Sequence, residues 1–349
     1  MHGSTRWKSS KRHDHHAAEG PQQIPSDPIV TAPIDDLITV VIPTFNRQEL
    51  LTKAVTSVTE QNVAGVLIHI FDNCSTDGTE LCVAGLIARH PNIRYTKRAS
   101  NIGALPNYIG ALASVETPFY ISLADDDWLL DGSISRLLET MQRDASLGAV
   151  VSQTIHQTED GNCTRVNPDD QWEYRRYEPD ELIPLWVKHG HFEWSSILFR
   201  TAAKNAIGGP DINAGSVWDV DFQLRVFLSY PVTLVNYQSA VYLAHPAQQS
   251  REVSPSKYHG VLTTILKFRE FADTHDKSGA IADTTGKFAR SWIKKIACDI
   301  AYYGSWRDLC YVINLRKSFL LPELTMTSLL IKWMRYKWRI LKARIKSPA

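Results

Sequence analysis

Three consecutive carboxylates, Asp125, Asp126 and Asp127, follow the apolar run 119–123 and precede Trp128-Leu129-Leu130. Adjacent carboxylates repel, so a fold gains little from clustering them unless a cation compensates. Hard oxygen ligands suit Mg2+ or Mn2+, held by one or two carboxylates together with substrate phosphates. A solvated turn with helix-capping aspartates is the plain alternative, and the position straight after a strand-like run argues against it. Two more polar stretches follow apolar runs: Pro43-Thr44-Phe45-Asn46-Arg47 and Asp72-Asn73-Cys74-Ser75-Thr76-Asp77-Gly78. Further on, Trp218-Asp219-Val220-Asp221 opens a helical pattern, and His245 follows the apolar run 240–243.

The elements that must position these residues are legible around them. Ile38-Thr39-Val40-Val41-Ile42, residues 66–71, Ile93-Arg94-Tyr95-Thr96 and residues 119–123 read as strands, the β-branched and apolar runs suiting burial on both faces. Residues 47–60, 76–89 and 103–114 carry helical spacing, with Thr76 or Asp77 as a cap and Pro106 tolerable in a first turn. Strand and helix alternate roughly every thirty residues, which predicts a parallel sheet with right-handed crossovers. Ligands of such sheets bind beyond the carboxyl ends of the strands. That topology brings all three polar stretches to one edge. After a helix near 133–143 the chain reads α+β: strands at 148–156, 192–200, 232–235 and 240–243, helices at 178–189 and 219–229, and a polar excursion at 161–177.

Composition narrows the function classes. The 349 residues carry a formal net charge of +1, which argues against a nucleic-acid partner bound through overall positive charge. The five cysteines are scattered, with no CxxC pair, so neither a disulfide framework nor a zinc-thiolate site is expected. There is no apolar signal region near the start and no uncharged apolar window long enough to cross a bilayer, so a cytoplasmic protein is the expectation. Residues 1–36 read as a polar, proline-bearing disordered tail, whose His13, His15 and His16 are more simply solvated than metal-binding.

The motifs VVIPTFNR (40–47), FDNCSTDGT (71–79), NIGALPN (101–107) and LADDDWLL (123–130) resemble, in order and at suitable spacing, those of the donor half of a family 2 glycosyltransferase with a GT-A fold. The resemblance implies a Rossmann-like, mostly parallel sheet flanked by helices. It implies a donor half over 37–130 and an acceptor half over 131–255, and the remaining residues, 256–349, read as a helical extension. It also implies roles. Pro43, Thr44, Asn46 and Arg47 would line a nucleotide-sugar pocket, with Asp72 accepting a hydrogen bond from the base, uracil being the commonest. Ser75, Asn101 and Gly103 would complete it. Asp125, Asp126 and Asp127 would form the DxD-type element for the sugar and the metal, Asp127 foremost, with His245 as a further metal contact. Asp219 would be the catalytic base, and Trp194 and Trp218 would meet the acceptor. The chain departs from the family pattern where Ala124 replaces an aspartate and Trp218 an acidic residue.

The expected reaction is transfer from a nucleotide-diphosphate sugar to an acceptor hydroxyl with inversion, the acceptor being a saccharide or lipid-linked. Two other readings differ in kind. A sugar nucleotidyltransferase would need a glycine-rich phosphate loop, which PTFNR lacks. A non-catalytic sugar-binding scaffold would need neither Asp219 nor a metal turn. Finally, residues 324–346 hold seven basic and no acidic residues, with apolar residues at helical intervals. Such a segment either packs on the domain or lies peripherally on an anionic membrane.

Overall fold

The computed structural model describes residues 36–245, 255–275, 279–302, 305–319 and 330–339. The N-terminal tail with its histidines, residues 246–254, and the parts of the basic segment at 324–329 and 340–346 lie outside these.

The first half alternates as read. In order come β1 (Ile38–Thr44), α1 (Gln48–Thr59), β2 (Val66–Asp72), α2 (Thr79–Ile87), β3 (Ile93–Lys97), α3 (Ala104–Ala113) and β4 (Phe119–Ser122). Then follow β5 (Trp128–Leu129), α4 (Ser133–Arg143), β6 (Ala149–Thr158), β7 (Cys163–Asn167), β8 (Arg176–Tyr177), α5 (Pro179–His189), β9 (Ile197–Arg200), α6 (Thr201–Ala206), α7 (Trp218–Ser229) and β10 (Val232–Ala244). The last named helices are α8 (Pro255–His275), α9 (Ala280–Tyr302) and α10 (Trp306–Phe319), and residues 330–339 form one more.

All ten strands belong to one sheet, whose main path runs β3-β2-β1-β4-β9-β6-β10-β5. The pairs among β1 to β4 are parallel, as is β6 with β10. Strand β9 runs antiparallel to both β4 and β6 and joins the two halves. Side chains alternate across a strand, and β1 shows it: Ile38, Val40 and Ile42 pack with α1, α2 and α4, while Val41 packs on the other face with α3, α5 and α7 to α10.

Three local expectations change. Residues 192–200 are not strand throughout: Trp194–Ser196 form a 3-10 turn, because the Ser196 amide and hydroxyl both donate to the Glu193 carbonyl, the competition that serine offers to a ladder. The two short strands expected at 232–243 are one strand, carried through polar residues 236–238 by register shifts. The polar excursion contains β7, which pairs antiparallel with the stretch of β6 that runs on past β9.

Candidate active site

Parallel β1 and β2 end at Thr44 and Asp72, and β4 leads through Leu123 into the acidic turn, all at one edge of the sheet. A cavity of about 560 Å³ lies there. Pro43, Thr44, Arg47, Asn101, Gly103, Asp125 and Asp126 line it, so the structure brings seven of the expected donor residues together. Gly103 sits at φ 88° and ψ 157°, just before α3, a backbone region that side-chain-bearing residues avoid. Its N–H donates to Asn101 Oδ1 at 2.9 Å, and Asn73 Nδ2 donates to the same oxygen at 2.8 Å.

Arg47 is the electrostatic centre of the pocket. Its guanidinium lies 2.9 Å from Asp125 Oδ1 and 2.7 Å from Asp126 Oδ2. Asp125 also accepts from Thr44 Oγ1 at 2.7 Å. Burial pushes the Asp125 carboxyl up to about 6, Arg47 pulls against that, and Asp126 adds to it. His245 Nε2 lies 3.0 Å from Asp126 Oδ2. One arginine thus faces two carboxylates, leaving negative charge unbalanced.

The third aspartate turns away. Asp127 is buried and accepts from Ser195 Oγ at 2.5 Å and from the Leu243 N–H at 3.1 Å. Burial, with Asp126 close by, raises it well above the ordinary carboxylate range. Three other expected donor residues, Asn46, Asp72 and Ser75, do not line the cavity. Asp72 is wholly buried and accepts from the Ser75 N–H and Oγ and from the Tyr95 hydroxyl. Ser75 Oγ in turn accepts from the Asn46 N–H, and Asn46 Oδ1 accepts from the Thr76 N–H. Together they fasten the loop after β2 to the loop after β1.

The neighbouring Asn73 lines the cavity instead, with Phe45, Ala104, Asn107, Tyr108, Ala124 and Tyr242. Sequence reading passed over these. A signal existed for three of them, since Ala104, Asn107 and Tyr108 share one helical face. Asn107 Nδ2 donates to the Phe71 carbonyl, and its Oδ1 accepts from Arg98 Nε, which explains a buried amide there.

The cavity fits a divalent cation of modest protein ligation. Asp126 and His245 offer a carboxylate and an imidazole side by side, and Mg2+ or Mn2+ takes few protein ligands when phosphates supply the rest. No cluster of three or more candidate ligand residues occurs among the described residues.

Asp219 lies in the first turn of α7, half-buried, with the Val220 N–H donating to it at 2.8 Å. It is not the helix cap. Burial raises its carboxyl, the nearby His191 opposes this, and Glu193 adds to it. Glu193 is itself tied to His156 at 3.0 Å and to Arg165 at 3.4 Å. Burial opposes its ionisation, but these partners and His191 bring it below the ordinary range. Asp221, by contrast, is buried and paired with Arg225 at 2.8 Å and Lys267 at 3.2 Å. Trp218 packs on Tyr108 of the pocket wall, with ring centres 5.0 Å apart, and on Trp194 at 4.8 Å. Trp194 is further enclosed by Phe199 and Phe222. A second cavity, of about 440 Å³, opens beside β7, lined by Arg165, Asn167, Asp169, Asp170 and the amides of Gln153 and Gln238. The pairing of Arg165 with Glu193 connects it to the surroundings of Asp219.

A mixed sheet whose strands β1 to β4 are parallel, with helices on both faces and a polar pocket at its carboxyl edge, defines an α/β fold of the GT-A type. Residues 39–206, just under half of the chain, match Glycosyl transferase family 2. Chondroitin synthase of Escherichia coli is 25% identical over 202 residues, 57% of this chain but 28% of that protein's length. WcaA of Escherichia coli K12, named for a glycosyl transferase role in colanic acid biosynthesis, is 29% identical over 253 residues, 69% of this chain and 84% of that one. Among solved structures, S. aureus TarS 1-349 in complex with UDP-GlcNAc has a TM-score of 0.58 at 15% identity, covering 88% of this chain and 92% of that one. Among the described residues no helix is long and apolar enough to cross a membrane.

Proposed function

We propose that this chain is a cytoplasmic enzyme that moves a sugar from a nucleotide-diphosphate donor, first of all a UDP-sugar, to an acceptor hydroxyl with inversion. The product is a saccharide or glycolipid. One observation carries the reading: the loops after β1, β2 and β4 and the start of α3 converge on a single cavity, with Arg47, Asp125 and Asp126 in its wall. The ligand named for the TarS structure favours trying UDP-sugars first. The proposed division is a donor half to about residue 130 and an acceptor half to about residue 255.

In this reading Asn73, Asn101 and Gly103 hold the nucleotide, and Arg47 turns its guanidinium to the diphosphate. Asp126 and His245 hold the divalent cation, which when bound supplies neutralising charge for the departing diphosphate. Asp219 accepts the proton of the acceptor hydroxyl as that oxygen attacks the anomeric carbon from the side opposite the leaving group. A single displacement inverts the configuration. The acceptor chain extends along the cavity beside β7, where amide and carboxylate groups match sugar hydroxyls. Trp194 and Trp218 support the pocket wall by packing against Tyr108 and each other.

The separate positions of Asp126 and Asp127 supply a test. Thermal stabilisation by Mn2+ with UDP-GlcNAc, UDP-glucose or GDP-mannose reports donor binding, because a ligand above its Kd raises stability. Asp126→Asn should weaken metal-dependent stabilisation by at least about tenfold, the least that loss of a group near a metal costs. Asp127→Asn should keep it, since an amide can still accept from the Leu243 N–H and meet Ser195. The reverse pattern would make Asp127 the ligand, and no response to any donor would remove the transferase reading.

A further inference from the structure

The helix at 330–339 has two apolar faces. Leu330 and Trp333 pack inward against the core of the C-terminal helices, and Trp333 meets Trp306 edge-on with ring centres 5.6 Å apart. A second stripe alongside points outward: Ile331, Met334 and Trp338 are 40%, 53% and 57% exposed. They stand at i, i+3 and i+7, one line along a helix. Arg335 and Arg339 are exposed beside them. Packing on the domain and presenting a basic amphipathic surface are therefore not alternatives here; one helix does both.

A second observation concerns charge. Lys332 shares its surroundings with Arg290 and Lys294 of α9, two exposed cations one helical turn apart. Burial and these like charges lower the Lys332 ammonium. Residues 330–339 contain no acidic residue. Trp306, 56% exposed, and the exposed Arg307 extend the same mixture onto α10. Exposed aromatic and aliphatic side chains flanked by clustered cations complement a surface with an apolar interior and an anionic skin, which is what an anionic bilayer offers. A protein partner with a flat apolar face would not call for the gathering of Arg290, Lys294 and Lys332.

We propose that this face docks the protein on an anionic lipid surface, with Ile331, Met334 and Trp338 entering the interface and the surrounding arginines and lysines meeting the headgroups. The arrangement would bring the enzyme to lipid-linked acceptors, yet the docking stands on the helix itself and not on the transferase reading.

The test is flotation of the full chain, without donor, with vesicles of phosphatidylcholine alone and with 30 mol% phosphatidylglycerol. The unmodified protein should float with the anionic vesicles and not with the neutral ones, and raising salt should release it, because surface charge is screened. Two double variants separate the contributions: Met334→Ser with Trp338→Ser, and Arg335→Glu with Arg339→Glu. Each should lower partitioning by about tenfold or more, given roughly a fivefold effect per basic residue near such a surface. Both should keep the melting temperature, since the altered side chains are exposed. Equal binding to neutral vesicles, or full binding by both variants, overturns the proposal. So does a loss of self-association on sedimentation with no change in flotation, which would assign the face to a second copy of the chain.

Discussion

Asp219→Asn is expected to leave a folded protein that binds donor normally but transfers sugar at least about 100-fold more slowly, the usual contribution of a positioned general base. The asparagine keeps the shape and still accepts from the Val220 N–H; it cannot take a proton. Donor affinity by calorimetry and initial transfer rates with a labelled donor would check the two halves of this statement. Wild-type transfer by the variant would clear Asp219 of the role. The pH dependence follows from the same environment. Asp219 must be ionised to act, and burial with Glu193 nearby holds its carboxyl above the ordinary range. Activity should therefore begin to fall at a higher pH, as pH is lowered, than a solvent-exposed aspartate near 3.9 would cause. Glu193→Gln removes a neighbouring negative charge, so the acid limb should move to lower pH. An unmoved limb would mean that another group sets it.

The second large effect is structural. Gly260 of α8 passes so close to the loop before α7 that a Cβ there would overlap the Ala214 carbonyl oxygen and lie 2.6 Å from its carbon. Both are backbone atoms, so no rotamer change can relieve the clash. Gly260→Ala should cost about 1–3 kcal/mol or more, the range for overfilling a packed contact, and lower the melting temperature by several degrees. Because residue 214 lies just ahead of Asp219, transfer should suffer more than donor binding. Gly85, in the middle of α2, is the control: nothing lies within 4 Å of its Cβ position, so Gly85→Ala should stabilise by about 0.4–1 kcal/mol. Equal melting temperatures for the two variants would show that the contact at Gly260 yields freely.

What could be read from the sequence was what local periodicity encodes. The strands and helices of the first half announce themselves in runs of five to twelve residues, and their alternation gives the edge where the polar loops meet. That argument alone brought Arg47, Asp125 and Asp126 to one place, with Asn101 added by the family resemblance. It could not say which of two neighbouring side chains faces the cavity. Asp72 is drawn inward by Tyr95 on an adjacent strand, leaving Asn73 in the wall. Asp127 is drawn inward by Ser195 and Leu243, 68 and 116 positions away. Such partners are set by strand order, and the order here depends on β9, whose antiparallel insertion leaves no periodic trace. Trp194 and Trp218 could have been sugar platforms or packing, and only their mutual contact with Tyr108, Phe199 and Phe222 shows how they are enclosed.

The position of β9 has one more consequence. With this strand hydrogen-bonded to both β4 and β6, the parallel strands β1 to β4 and the pair β6 and β10 lie in one continuous ladder. In the proposed reading, acceptor choice would rest with surface segments such as 159–162 and 207–213. Those are segments where insertions and exchanges are tolerated best. Grafting them should redirect acceptor preference without retuning the donor pocket, which makes this architecture well suited to diversification by loop replacement.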